Sequence, residues 1–198
     1  MDLAFRYGGI APNQNRGEIL GLLEMLREMQ PQRLCEIGSA DGGTLFLLSR
    51  IAQPNARIFS IDLNNDATRT ESFRLLVQPG QQLTCAQGDS HQQEIFQQFQ
   101  RWLGKDKLDF LFIDGDHTYE GVACDHRMYG PHVRPGGFVA FHDITPDFHM
   151  RYGVDTGTHA GDVPEYWAEV KPRHARCTEF VDHHLQDGRG IGVIELAE

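Results

Sequence analysis

A strand–helix–strand pattern in the second half of the chain constrains the fold more than any other feature. A hydrophobic run, Leu108–Ile113, ends at Asp114, and a second run, Phe138–Phe141, ends at His142 and Asp143. The segment between the two runs has helical character. An open α/β sheet builds its ligand site from polar residues that follow neighbouring strands in this way. The pattern therefore predicts a site where these two strands end.

The remaining chain alternates between short hydrophobic runs and amphipathic stretches, which predicts further strands and helices. Strands are predicted at 33–37, 57–61, 82–87, 175–181 and 190–196, and helices at 16–30, 44–52, 67–77, 91–102, 119–133 and 163–171. A short connection around Asp187 and Gly188 joins the last two strands, so we expect an antiparallel hairpin. The prediction is one α/β domain over residues 1–198, with a mostly parallel Rossmann-like sheet, helices on both faces and a C-terminal hairpin.

Two segments lack a regular pattern. Residues 1–14 predict an irregular arm, either a disordered terminus or a flap over the site. Residues 144–162 predict a lid loop, because a structureless stretch of that length in a compact domain is usually functional or disordered. We expect specificity for a second substrate to lie in these two segments.

Charge and composition favour a soluble protein with small-molecule partners. The formal net charge is −10 and no run of Lys and Arg is present, which argues against nucleic acid or an anionic membrane as partner. No apolar run approaches the ~20 residues of a membrane span. The N-terminal residues lack a secretory pattern, and the four cysteines form no close pair. We expect free thiols, a cytoplasmic location, and an oligomeric state that the sequence does not determine.

A glycine-containing loop follows the first predicted strand and precedes a helix. Gly38, Gly42 and Gly43 lie in this loop, where strand, tight turn and helix form the cradle used for phosphates or nucleosides. A dinucleotide fingerprint requires the spacing G-x-G-x-x-G, which this loop does not have. A dehydrogenase is therefore the less expected function.

Acidic residues follow the next strands at positions where a nucleoside site needs them. Asp62 ends the second strand about 20 residues beyond the glycine loop, where a carboxylate accepts hydrogen bonds from ribose hydroxyls. Asp89 and Ser90 follow the third strand. Either residue could cap the next helix or contact the edge of an adenine ring.

These motifs together resemble those of class I S-adenosylmethionine-dependent methyltransferases. The carrying sequences are EIGSADGG at 36–43, Asp62, GDS at 88–90, IDGDHTYEGV at 113–122, RPGG at 134–137 and FHD at 141–143. The last three are similar to small-molecule O-methyltransferases of the cephalosporin hydroxylase-like, macrolide and sugar groups. The resemblance implies a cofactor site formed by Glu36, Gly38, Ser39, Gly42, Gly43, Asp62, Asp89, Ser90 and Asp114.

The resemblance also implies a divalent metal site at the two strand ends described first. Its ligands would be Asp114, shared with the cofactor site, and the pair His142 and Asp143. Oxygen ligands with several waters suit Mg²⁺, whereas an imidazole favours a softer ion such as Mn²⁺, Fe²⁺ or Zn²⁺. His142 could instead be non-ligating, since successive residues of a strand point to opposite faces.

The chemistry that follows is O-methylation of a hydroxyl on a sugar, polyketide or catechol-like molecule. A bound dication lowers the pKa of such a hydroxyl, and His117 or His142 is the candidate base. Two alternatives remain open. His117, His142 and one carboxylate could hold Fe(II) in a hydroxylase, or the domain could bind a small molecule without catalysis.

Overall fold

A computed structural model describes residues 10–197, and a seven-stranded sheet forms its centre. The strands are β1 (Arg33–Ile37), β2 (Arg57–Asp62), β3 (Gln82–Gln87), β4 (Leu108–Ile113), β5 (Val133–His142), β6 (Cys177–Phe180) and β7 (Ile191–Glu195). They lie in the order β3-β2-β1-β4-β5-β7-β6. Most of the predicted arm, residues 1–9, lies outside the described residues.

Helices cover both faces of this sheet. They are α1 (Arg16–Met29), α2 (Gly43–Ile51), α3 (Ala67–Arg74), α4 (Gln93–Leu103), α5 (Tyr119–Tyr129), α6 (Phe148–Tyr152) and α7 (Val163–Val170), with 3-10 turns at Gly130–His132 and Lys171–Arg173. Within the described residues, no helix is long and apolar enough to cross a membrane.

Alternation along the strands divides the core into two layers. In β4, Phe110 and Phe112 pack with α1 and α2, whereas Leu111 and Ile113 pack with α4, α5 and α7. Every residue of β4 is buried, as expected for a central parallel strand covered on both faces. The two layers hold the strand ends in place, and the loops that follow these ends carry the polar residues.

The C-terminal hairpin is confirmed. β7 pairs antiparallel with both β5 and β6, while the other neighbouring strands pair in parallel. β1, β3, β4, β6 and β7 begin and end within the predicted ranges. β2 extends one residue further, to Asp62, and β5 begins at Val133, five residues before the predicted Phe138, and ends at His142. All four cysteines are free thiols, with Cys35 buried and Cys85 half-buried.

Several predicted helix ends were wrong. α5 ends at Tyr129 rather than Val133, because Pro131 lies in a 3-10 turn and the chain then enters β5. The predicted RPGG turn is therefore part of β5, where Gly136 N donates to Leu196 O at 2.8 Å. α3 ends at Arg74 instead of Val77.

Candidate active site at the carboxyl ends of the strands

A cleft of about 1160 Å³ lies where the parallel strands end. Its wall contains residues that follow β1, β2, β3, β4 and β5, together with residues 157–162 of the predicted lid and Arg189. A much smaller cavity of about 10 Å³ adjoins it and is lined by residues 11–14 and the glycine loop. The two cavities share Asn13, Gly38, Ala40, Asp41 and Asp114.

The glycine loop packs directly against the end of β4. Gly38 has φ +86°, and a Cβ atom there would lie 1.9 Å from the carbonyl oxygen of Asp114. The Gly38 N–H donates to Ile61 O at 2.8 Å, and Asp114 N donates to Ile37 O at 2.9 Å. The loop is therefore held between β2 and β4, and its small residues leave the room that a bound cofactor requires.

Asp62 faces the cleft at the end of β2. Its Oδ2 accepts a hydrogen bond from Ala40 N at 2.9 Å, and its Oδ1 accepts one from Asn64 N at 2.8 Å. Each carboxylate oxygen has a second lone pair. The side chain is thus oriented by the backbone while each of its oxygens can accept one further hydrogen bond.

Asp89 and Ser90 lie on the cleft wall, but neither is the N-cap of α4. The N-cap is Gln92, because Asp89 Oδ1 accepts from His91 N at 2.9 Å and closes a turn before the helix starts. His91 joins the same wall, with Nε2 3.3 Å from a carboxylate oxygen of the fully buried Asp125. The contact with Asp125 is the main cause that raises the pKa of His91 to about 9.

Four of the predicted cofactor residues do not line the main cleft. Ser39 and Gly43 line the smaller cavity, whereas Glu36 and Gly42 line neither cavity. Glu36 is fully buried beneath the loop, and its carboxylate oxygens have no hydrogen-bond partner in the part of the chain that the structure describes. Burial, followed by the negative charges of Asp114 and Asp62, raises the pKa of Glu36 well above its ordinary value.

Two carboxylates and two imidazoles meet at the other end of the cleft. His117 Nε2 lies 3.7 Å from Asp114 Oδ1 and 3.6 Å from Asp143 Oδ2. His142 Nδ1 lies 3.0 Å from Asp114 Oδ1 and 3.2 Å from Asp143 Oδ2. The sequence pattern correctly predicted that the β4 and β5 ends would converge.

The backbone explains how neighbouring residues reach one site. His142 is the last residue of β5, and Asp143 follows with φ +61°, in the left-handed region that Asp tolerates better than most residues. That turn brings the Asp143 carboxylate alongside His142. Asp143 Oδ1 also accepts a hydrogen bond from Arg189 N at 3.0 Å, which ties the site to the residue before Gly190 and β7.

His117 presents an available nitrogen to the two carboxylates. Its Nδ1 lies 3.0 Å from the carbonyl oxygen of His159 in the lid. A carbonyl accepts but cannot donate, so Nδ1 carries the hydrogen and Nε2 of the neutral ring has a lone pair. This orientation is the one that metal-ligating histidines show in proteins.

Both imidazoles bind protons strongly when no cation is present. The nearby carboxylate of Asp114 is the main cause that raises the pKa of His117 to about 9. Burial acts to lower the pKa of His142, but the Asp114 and Asp143 carboxylates outweigh burial and raise it to about 10. Burial is the largest influence on the pKa of Asp114 and acts to raise it, but His142 and His117 together outweigh burial, so that pKa is lowered.

Atoms of Asp114, His117 and Asp143, which could hold a cation, all lie within 4.8 Å of one another. The predicted ligand His142 lies beside this group, with its Nδ1 contacting both carboxylates. Its Nε2 is buried without a hydrogen-bond partner among the described residues. His117, which the sequence analysis proposed as a base or as one of two histidine ligands of Fe(II), is thus a further candidate ligand.

Gln14 completes the surroundings of Asp114 and was missed by the sequence analysis. Its Nε2 donates to Asp114 Oδ2 at 2.9 Å, and its Oε1 accepts from Thr44 Oγ1 at 2.8 Å. The side chain is 3% exposed. Thr44 thus orients the amide so that its N–H points at Asp114, which leaves Asp114 Oδ1 facing the histidines. No local pattern marks a lone Gln in an irregular segment.

Residues 35–144 match a family model described as a methyltransferase domain. Catechol O-methyltransferase of Bos taurus is 30% identical over 102 residues, which are 51% of this chain and 36% of that protein. The chain therefore spans about a third of the length of this curated relative.

Two solved structures share the fold. TomG, an O-methyltransferase from Streptomyces achromogenes involved in tomaymycin synthesis and solved with SAM, has a TM-score of 0.63 and 20% identity, covering 98% of this chain and 85% of its own. MycE is a methyltransferase from the mycinamycin biosynthetic pathway, solved with Mg, SAH and mycinamycin VI. Its TM-score is 0.60 at 18% identity, and the match covers 90% of this chain and 49% of MycE. At these identities the likeness concerns the fold alone.

Proposed function

We propose, from the premise that this chain belongs to the methyltransferase-domain family, that it transfers the methyl group of S-adenosylmethionine to a hydroxyl oxygen of a small molecule. The family match confirms the resemblance to class I methyltransferases, and the shared sheet architecture confirms the predicted fold class. One observation supports oxygen as the atom that accepts the methyl group. The cluster of Asp114, His117 and Asp143 opens onto the same cleft as Asp62 and the glycine loop.

In this proposal, residues at one end of the cleft bind the cofactor and residues at the other end bind a cation. Asp62 would accept hydrogen bonds from the ribose, and Asp89 and Ser90 would border the adenine. Asp114, His117 and Asp143 would hold a divalent cation, with His142 orienting both carboxylates. When bound, S-adenosylmethionine supplies the methyl group and the cation lowers the pKa of the acceptor hydroxyl. Acidic walls also favour the positively charged sulfonium.

The proton of the acceptor hydroxyl has one of two fates. A bound cation would be held by Asp114, Asp143 and the Nε2 lone pair of His117, and it would favour loss of the hydroxyl proton to water. Without a cation, His117 could accept the proton only in its neutral form, which its raised pKa of about 9 restricts to alkaline pH. Mg²⁺ is the expected ion because two of the three ligands are carboxylates. Mg in the MycE structure is in line with this choice.

Binding of S-adenosylhomocysteine tests the cofactor half of the proposal. Calorimetry should show binding, and Asp62→Ala should weaken it about hundredfold, because two hydrogen bonds to a charged acceptor contribute about 1.5 kcal/mol each. Glu24→Gln, a change at an exposed position of α1, is the control and should bind as wild type does. Absence of binding to wild type, or equal binding by Asp62→Ala, contradicts the proposal.

Metal removal tests the catalytic half. Protein dialysed against EDTA should lose methyl transfer and regain it with Mg²⁺, and calorimetry with Mn²⁺ should show one site. His117→Ala should weaken Mn²⁺ binding at least about tenfold. His159→Ala is the matched control, because it keeps the carbonyl that orients His117. Activity that survives EDTA but is lost in His117→Ala would assign His117 as a metal-free base.

A further inference from the structure

Arg189 lies on the wall of an acidic cleft, where its side chain has no partner among residues 10–197. The wall contains seven aspartates and two arginines among the described residues. Arg69 donates to Ala40 O and pairs with Asp41 at 3.7 Å. The half-buried guanidinium of Arg189 has no hydrogen bond or ion pair with any described residue. A partly buried charge is stabilised by a counter-charge, so an anion bound from outside the chain would stabilise the guanidinium of Arg189.

The backbone of Arg189 is strained in a way that its contacts do not require. Its φ is +61°, between Gly188 at +65° and Gly190 at +86°. Its N–H donates to Asp143 Oδ1, and its carbonyl accepts from Thr145 N at 2.9 Å. A glycine would make both backbone contacts without strain. An arginine retained in this conformation points to a function of its side chain.

The sheet order places Arg189 at the acceptor end of the cleft. It precedes β7, which is three strands away from β1 in the order β1-β4-β5-β7. With ~4.8 Å between strands, this is roughly 14 Å from the glycine loop after β1. Asp62 and the glycine loop lie on one side of Asp114, and Arg189 lies on the other. A ligand of Arg189 is therefore the acceptor rather than the cofactor.

We propose that Arg189 binds an anionic group, a carboxylate or a phosphate, on the methyl acceptor. This inference rests on the proposed function and adds the substrate class to it. The planar guanidinium donates two parallel hydrogen bonds to such a group, which gives selectivity as well as affinity. The remaining wall is acidic and repels anions, so Arg189 is the residue that allows an anionic acceptor to bind beside the cation site.

A matched pair of probes tests the carboxylate form of this proposal. We expect 3,4-dihydroxybenzoate to bind the protein with Mg²⁺ and S-adenosylhomocysteine at least about tenfold more tightly than the neutral 3,4-dihydroxybenzamide. Arg189→Gly should reduce this ratio to about one, and Arg189→Lys should retain part of it. Because glycine relieves the strain at φ +61°, the melting temperature of Arg189→Gly should be unchanged or higher.

A second probe tests the phosphate form. Inorganic phosphate should stabilise the wild-type protein against thermal unfolding and should have no such effect on Arg189→Gly. Dependence on Arg189 in either arm supports the proposal and identifies the anion. The proposal is overturned if phosphate has no effect on the wild-type protein and, in addition, the two dihydroxy probes bind equally or neither of them binds. A ratio that persists in Arg189→Gly also overturns it.

Calorimetry with S-adenosylhomocysteine separates this inference from the proposed function. If wild type binds S-adenosylhomocysteine and Arg189→Gly binds it equally, the cofactor site stands whatever the anion probes show. If Arg189→Gly loses affinity for S-adenosylhomocysteine, Arg189 serves the cofactor carboxylate and the inference is wrong. If wild type itself does not bind S-adenosylhomocysteine, the proposed function fails first.

Discussion

Replacing Asp114 with Asn should lower kcat/KM for methyl transfer about a thousandfold while leaving the fold intact. Asp114 Oδ1 lies near both histidines, and its Oδ2 accepts from Gln14, so the substitution removes charge without removing bulk. A cation ligand is lost, and His117 and His142 lose the carboxylate they share. The measurement is the initial rate of S-adenosylhomocysteine release with an acceptor identified from a panel of hydroxylated compounds.

A neighbouring carboxylate provides the control for Asp114→Asn. Asp116 also lies on the cleft wall, but its Oδ1 accepts from Thr118 N before α5, so Asp116→Asn should keep most of the rate. In EDTA-treated protein, Asp114→Asn should also lower the pKa of His117 from about 9 towards 6.5, measured by NMR titration of the imidazole. A rate above a tenth of wild type, or an unchanged pKa, contradicts the role of Asp114.

Replacing Gly38 with Ala should destabilise the protein by more than about 4 kcal/mol, a loss typical of severe backbone conflicts. Gly38 has φ +86°, and the new Cβ would lie 1.9 Å from Asp114 O, a backbone atom that cannot move without displacing β4. Urea unfolding followed by circular dichroism measures the loss. S-adenosylhomocysteine binding should disappear in any fraction that remains folded.

Gly153→Ala separates the clash at Gly38 from the general effect of a positive φ. Gly153 has φ +69° after α6, in the left-handed helical region, and an added Cβ there meets no described residue within 4 Å. Its replacement should therefore destabilise by about 1 kcal/mol, the conformational penalty alone. Similar losses for the two variants would show that the contact between the glycine loop and β4 is not what Gly38 provides.

The fold was predictable because its signals are local. Each strand is a short hydrophobic run, and the acidic residue after it marks the strand end, as at Asp62 and Asp114. Parallel order then brings these ends to one edge of the sheet. The hairpin followed from the short connection between its strands. These signals placed Asp62, Asp89, Asp114 and Asp143 on or beside one cleft.

The details that the sequence analysis missed depend on contacts between distant residues. The position of His117 beside Asp114 and Asp143 depends on the left-handed turn at Asp143 and on the carbonyl of His159. Arg189 is held at the site by a hydrogen bond from its backbone N–H to the side chain of Asp143, 46 positions earlier. No periodicity or spacing encodes such contacts.

The bond between Gln14 and Asp114 links two positions that are 100 residues apart. Gln14 belongs to the short segment before α1, where Gly43 packs against the backbone of Ala11 and Pro12. Such segments open locally at lower free energy than the strands of a core. Each opening releases Asp114 Oδ2 while the sheet stays folded. We therefore expect opening of this segment to disturb the candidate site at a lower denaturant concentration than unfolding of the sheet, so the site is less stable than the fold that carries it.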